Sequence, residues 1–134
     1  MGDRCNVYVN GADVFLYGHW SGWTIAQTVR DALKRGRERW NDAPYLARIV
    51  LCEMVRGSFE ELTGFGISRK LCDNERPIIV LDPDNRVASV MRVSRWGGDG
   101  PMPPLGSLMP FSRLIEMSDD DVRRWHLGDE GVSP

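Results

Sequence analysis

Hydrophobic and polar positions alternate in two short runs near the start of the chain. Asn6-Val7-Tyr8-Val9 and Val14-Phe15-Leu16-Tyr17 are rich in β-formers, and Asn10-Gly11 between them favours a tight turn, so they predict a hairpin. A hairpin alone is marginal in water and needs a partner layer. The segment Gly18-His19-Trp20-Ser21-Gly22-Trp23 then breaks the strand pattern. From Thr24, a predicted N-cap, the apolar positions Ile25, Val29, Ala32, Leu33 and Trp40 recur at the spacing of one helix face. Gly36 weakens or ends that helix, and Arg30, Lys34, Arg35, Arg37 and Arg39 crowd its last turns, where the helix dipole favours cations. Asp42 is placed to cap a second helix, with Pro44 tolerated in its first turn. Leu46, Ile49, Val50 and Met54 form its stripe, and Gly57 closes it.

The second half begins with Thr63-Gly64-Phe65-Gly66-Ile67-Ser68, a glycine-flanked strand with unusual backbone freedom. Pro77-Ile78-Ile79-Val80-Leu81 is a continuous apolar run and predicts a central, buried strand. Asp82-Pro83-Asp84-Asn85 is a turn, and the alternation over 87–93 predicts a paired strand. These elements give an α+β body over residues 1–93, counted as ββααββ: a four-stranded, mainly antiparallel sheet with two helices on one face. Residues 94–110 alternate glycine and proline and read as a linker or extended wrap. Residues 111–134 read as a short helical segment with an acidic tail, in which Ser118 and Asp121 form a capping-box variant and Val122 and Trp125 dock on the body.

Composition places the chain among ordinary single globular domains. Its 134 residues are 42% hydrophobic and 27% charged, enough for one core without a metal or disulfide staple. A net charge of −2 gives no basic field of the kind that attracts nucleic acid. Cys5, Cys52 and Cys72 are an odd, widely spaced set, which points to a reducing compartment rather than to a disulfide framework, each being a buried small apolar residue or an inert thiol. The first residues lack the charged and apolar regions of a signal peptide, and no apolar stretch approaches a membrane span, so the expected location is the cytoplasm. No CxxC, HxxxH, Walker or dinucleotide pattern occurs, so neither a metal nor a cofactor is expected.

Two stretches stand out chemically. His19 with Trp20 and Trp23 lies at a strand-to-helix junction and reads either as an aromatic-walled pocket with an acid–base histidine or as a plug between hairpin and helix. Phe65 and Gly66 lie in a run whose glycines permit close backbone approach, as an anion or nucleotide site needs, or simply relieve crowding at a bulge. Asp73, with Asn74, Glu75 and Arg76, is either a polar cluster able to position a ligand or a turn. A ligand-binding site is therefore expected to gather His19, Trp20, Trp23, Phe65, Gly66 and Asp73. No catalytic constellation is evident. The enzymatic alternative is a small hydrolase or transferase using His19 as acid or base, helped by Glu53 or Glu75.

The series MGDR-x-N-x-x-V at 1–9, LYxHWxG at 16–22, WxDxxYLARI at 40–49, TGFGIS at 63–68 and DNExPIIV at 73–80 resembles a family of small, uncharacterised proteins of tailed phages and prophages. The resemblance implies an accessory protein expressed in the host bacterial cytoplasm. Small size, the absence of a catalytic constellation and the surplus of aromatic and glycine residues at strand ends point in that context to a non-enzymatic role, the binding of a host factor or of a small ligand such as a signalling nucleotide, with counter-defence as one outcome. An assembly or interaction module, in which the glycine–proline stretch and tail wrap a neighbouring subunit in a homo-oligomer, is the third reading.

Overall fold

The computed structural model describes residues 2–71, 73–91 and 108–128. Among these the chain forms β1 (Cys5–Val9), β2 (Val14–Gly18), α1 (Ile25–Arg35), α2 (Ala43–Met54), β3 (Phe65–Ser68), β4 (Ile78–Asp82), β5 (Val87–Met91), β6 (Met109–Pro110), α3 (Phe111–Leu114) and α4 (Asp119–Leu127). The strands make one sheet in the order β3-β2-β1-β4-β5-β6. The α+β class holds, but the sheet is six-stranded and mixed rather than four-stranded and mainly antiparallel. Two features make the difference. The glycine-flanked run, read as a strand but left out of the count of four, is a full edge strand beside β2, and Met109–Pro110, inside the stretch read as linker, pairs with β5.

The mixed character comes from β1 and β4, which run parallel with Val7 opposite Ile79 and Val9 opposite Leu81. β3 ends beside the start of β2, whereas β4 begins beside the start of β1, so the chain between them must travel back the full length of the hairpin. Residues 69–77 are long enough, since a strand of five residues spans only about 17 Å. Leu71 packs on the hairpin along this return, and the buried Asn6 Nδ2 donates to the Asp73 carbonyl at 3.3 Å and to Asn74 Oδ1 at 3.0 Å.

Side-chain alternation buries both faces of the sheet. Cys5, Val7, Val9, Leu16, Ile79, Leu81 and Ala88 meet the helices, whose buried positions include Ile25, Val29, Leu33, Leu46 and Val50. Tyr8, Phe15, Ile78, Val80 and Met91 form a second cluster on the opposite face, with the Tyr8 and Phe15 ring centroids 4.9 Å apart. Burial, followed by the hydrogen bond to Asp13, pushes the Tyr8 phenol up to about 12. Burial likewise pushes the Cys5 thiol up to about 12, so this cysteine is inert. Cys52 is not one of the buried cysteines: it is exposed on α2, because it falls off the Leu46–Val50–Met54 stripe. Cys72 lies outside the described residues.

The predicted ends hold with adjustments. Asp42 accepts from the Tyr45 amide, and Ser118 accepts from the Asp121 amide at 3.1 Å. Thr24 precedes α1 without a side-chain cap bond, and α2 stops at Met54, before Gly57. α1 ends at Gly36, so Trp40 is not on it. After a 3₁₀ turn over Arg37–Arg39 the indole nevertheless returns to that face, donating to the Leu33 carbonyl at 2.8 Å and meeting Phe111 edge-on. Val122 is buried and Trp125 half-buried as α4 packs on α1. The rest of the glycine–proline stretch and the end of the acidic tail lie outside the described residues.

Ile79, wholly buried between sheet and helices, should cost about 2–5 kcal/mol of stability when cut to Ala, whereas Leu108→Ala at an exposed site should cost no more than about 0.5 kcal/mol. Urea denaturation of the two variants measures the contrast.

Candidate functional site

The end of the sheet where β1 begins and β2 finishes collects most of the polar chemistry. Its organiser is the short segment Gly2–Arg4. The Asp3 amide donates to the His19 carbonyl at 2.8 Å, and the Gly22 amide donates to the Asp3 carbonyl at 2.8 Å, so the His19–Gly22 turn is laced to the segment before β1. The Asp3 carboxylate is fully engaged: Oδ1 accepts from Arg76 Nε at 2.6 Å and Oδ2 from the Trp23 amide at 2.9 Å. Gly22 is required there, because a Cβ at that position would collide with the Asp3 carboxylate and with Arg76.

His19 and Trp20 sit beside the start of β3. The His19 amide donates to the Gly64 carbonyl at 2.8 Å, extending the β2–β3 ladder by one pair. The His19 ring contacts the Tyr17 hydroxyl through Nδ1 at 2.9 Å and meets the Trp20 indole edge-to-face, with centroids 4.6 Å apart. The benzo edge of Trp20 lies on Gly64, where φ is +100° and a Cβ would stand 2.6 Å from the ring. Trp20 remains 61% exposed.

The six residues expected to form one site thus do not share one neighbourhood. His19 and Trp20 meet the glycine run through Gly64. Phe65 pairs opposite Gly18 and turns toward the helix-side core, while Gly66 lies opposite Tyr17 on the other face. Trp23 lies by two guanidinium groups, with Arg123 4.8 Å and Arg76 6.0 Å from its ring centroid. Asp73 is exposed and pairs loosely with Arg4 at 3.9 Å. The helpers of the enzymatic alternative are held elsewhere. Glu53 is ion-paired to Arg35 and Arg56 on the helix layer, and Glu75 accepts from the Arg4 amide at 3.1 Å. Neither accepts from His19.

Asp3, Arg123 and His126 were not singled out from the sequence. His126 follows Val122 by four positions on α4, which marks it as core-facing. It is buried, and its Nε2 stands 2.7 Å from the Pro77 carbonyl. A carbonyl only accepts, so Nε2 carries the hydrogen, and Nδ1 has no hydrogen-bond partner. Burial holds the ring's pKa down at about 4, reinforced by Arg76 and opposed by the Pro77 carbonyl and Asp3. Among the described residues no cluster of His, Cys, Asp and Glu is arranged to hold a metal, and no helix is long and apolar enough to cross a membrane. No family model matches the chain, and no curated protein or solved structure matches it either.

What this arrangement offers is an aromatic surface beside a histidine. Gly64→Ala should destabilise the protein by about 1–3 kcal/mol, since the new Cβ meets both a positive φ and Trp20. Thermal unfolding reads the loss. His126 predicts a pH effect of definite sign. Its folded pKa lies below 6.5, so the unfolded chain takes the proton first. Stability is therefore full above pH 6.5, falls toward pH 4 by up to about 1.4 kcal/mol per pH unit, and then levels off for this group. The carboxyl of Asp119, held below its usual range by Arg30, acts at lower pH. Urea midpoints measured from pH 7 to 4.5 should flatten in His126→Gln.

Proposed function

We propose that the protein is a non-enzymatic accessory protein of phage origin, acting in the host bacterial cytoplasm, that binds a small ligand of the signalling-nucleotide type or a host factor at the His19–Trp20 surface. The observation that carries this reading is Trp20. An indole that is 61% exposed is nevertheless seated on Gly64 and set edge-to-face against His19. Such a ring loses little freedom when a planar partner stacks on it, and base–aromatic stacking contributes about 1–3 kcal/mol. His19 supplies a donor or acceptor beside the ring, and Arg4, whose guanidinium stands 3.7 Å from Glu75 and 3.9 Å from Asp73, is a cation for phosphate on the same end of the sheet. The phage context rests on the motif series at residues 1–9, 16–22, 40–49, 63–68 and 73–80.

A thermal-shift and calorimetric screen against mononucleotides and cyclic dinucleotides tests the reading. A bound nucleotide should raise the melting temperature, and Trp20→Ala should weaken binding by about 5- to 150-fold while leaving the unliganded stability nearly unchanged. No response to any nucleotide removes the small-ligand version and leaves a host protein. A response that survives Trp20→Ala places the binding surface elsewhere.

A further inference from the structure

β3 is the outer strand of the sheet, and its pairing with β2 determines what its free edge presents. In an antiparallel ladder, residues whose backbones bond the neighbour alternate with residues whose backbones point away. The His19 amide bonds the Gly64 carbonyl, and the same register pairs Tyr17 with Gly66 and Phe15 with Ser68. The N–H and C=O groups of Phe65 and Ile67 therefore face outward. They make no backbone hydrogen bond among the described residues.

Such edges are usually protected by charge, proline or a covering element. Among the described residues β3 has none of these: its sequence is Phe-Gly-Ile-Ser, and Ile67 is 60% exposed. Ile67 also lines an open apolar groove of about 420 Å³ with Val14, Leu16, Ala47 and Leu51 on the helix side of the sheet.

We propose that this edge is a self-association surface, on which β3 of a second copy of this chain pairs antiparallel about a twofold axis at Gly66. The hydrogen-bond pattern is self-complementary. Phe65 of each copy stands opposite Ile67 of the other, and these are the two residues with outward backbone groups, so four hydrogen bonds close the seam. The same pairing sets Phe65 and Ile67 side by side on the helix face, an aromatic against a β-branched residue. On the opposite face it sets glycine against glycine, with nothing to clash.

The flanks carry charges that select this orientation. Glu60 and Glu61, both exposed, precede the strand, and Arg69 and Lys70, both exposed, follow it. Antiparallel pairing brings the acidic flank of one copy toward the basic flank of the other, at both ends. A parallel seam would set like charges together. A four-residue seam alone buries less than the roughly 1,200–2,000 Å² of a stable interface, so the dimer is a weak one. Leu62, 99% exposed, and Phe59, 77% exposed, stand just before the strand and add apolar area to it.

The test is sedimentation velocity on the full chain from about 10 µM to 1 mM, a span that covers weak association. A shift from monomer to dimer is expected, with slowed exchange of the Phe65 and Ile67 amides as dimer accumulates. Ile67→Pro removes an outward-facing N–H and the Ile67 side chain but no hydrogen bond of the β2–β3 ladder, so it should return the protein to monomer at concentrations where the parent dimerises. As an independent check that keeps the backbone, Arg69→Glu with Lys70→Glu should weaken the dimer several-fold, and adding Glu60→Lys and Glu61→Lys should restore it. A monomer at every concentration, or a dimer indifferent to both sets of changes, overturns the proposal. The nucleotide screen on Trp20 is independent of this result.

Discussion

The pairing of β1 with β4 is the constraint on which the rest of the structure depends. The described strands otherwise form two groups, β3-β2-β1 on one side and β4-β5-β6 on the other, and this one parallel ladder joins them. β1 is buried along its whole length, with Cys5, Val7 and Val9 facing the helices and Asn6 and Tyr8 facing the other side. A strand buried on both faces cannot slip by one residue without exchanging its two sets of side chains, so the register of the junction is strongly specified. The return segment that a parallel junction demands is also what brings Asp73, Asn74 and Arg76 to the beginning of β1.

From that junction the polar end of the sheet follows. Once Ile79 is opposite Val7, Arg76 lies within reach of Asp3, and Asp3 in turn holds the Trp23 amide and the turn that carries His19 and Trp20. His126 completes the arrangement from α4 by bonding the Pro77 carbonyl, just before β4. Asp3, Arg76 and Pro77 are thus engaged with one another and with the turn. Trp20 is 61% exposed, which is why the proposed binding role rests on that residue and not on the buried polar cluster.

Much of this was legible in the sequence, and the failures have physical causes. The hairpin, both long helices, the buried Ile78–Leu81 strand and the Ser118 cap follow from local periodicity and capping chemistry. Strand order does not, because a run such as Ile78-Ile79-Val80-Leu81 is equally apolar whether its neighbours run parallel or antiparallel. Phe-Gly-Ile-Ser carries little alternation, so its place as a full edge strand depends on pairing with β2 rather than on its own pattern. Met109–Pro110 was hidden by proline, which an edge position tolerates. The sequence asks the His19–Trp23 turn to meet Phe65, but the contact is made by Gly64, and alternation along β3 turns Phe65 to the helix-side core. The separate surroundings of Trp23 and Asp73 are not legible locally, because both depend on Arg4, Asp3 and Arg123, whose positions are set by tertiary packing.

Residue-resolved native-state hydrogen exchange measures the central constraint directly. If the β1–β4 ladder holds the two halves together, its amides exchange only through global unfolding, with an opening free energy equal to the total stability, and the Asp3-bound amides of Gly22 and Trp23 open at lower cost. Exchange of β1 and β4 amides at different free energies, both well below the global value, would show that the two halves open independently and would contradict the account.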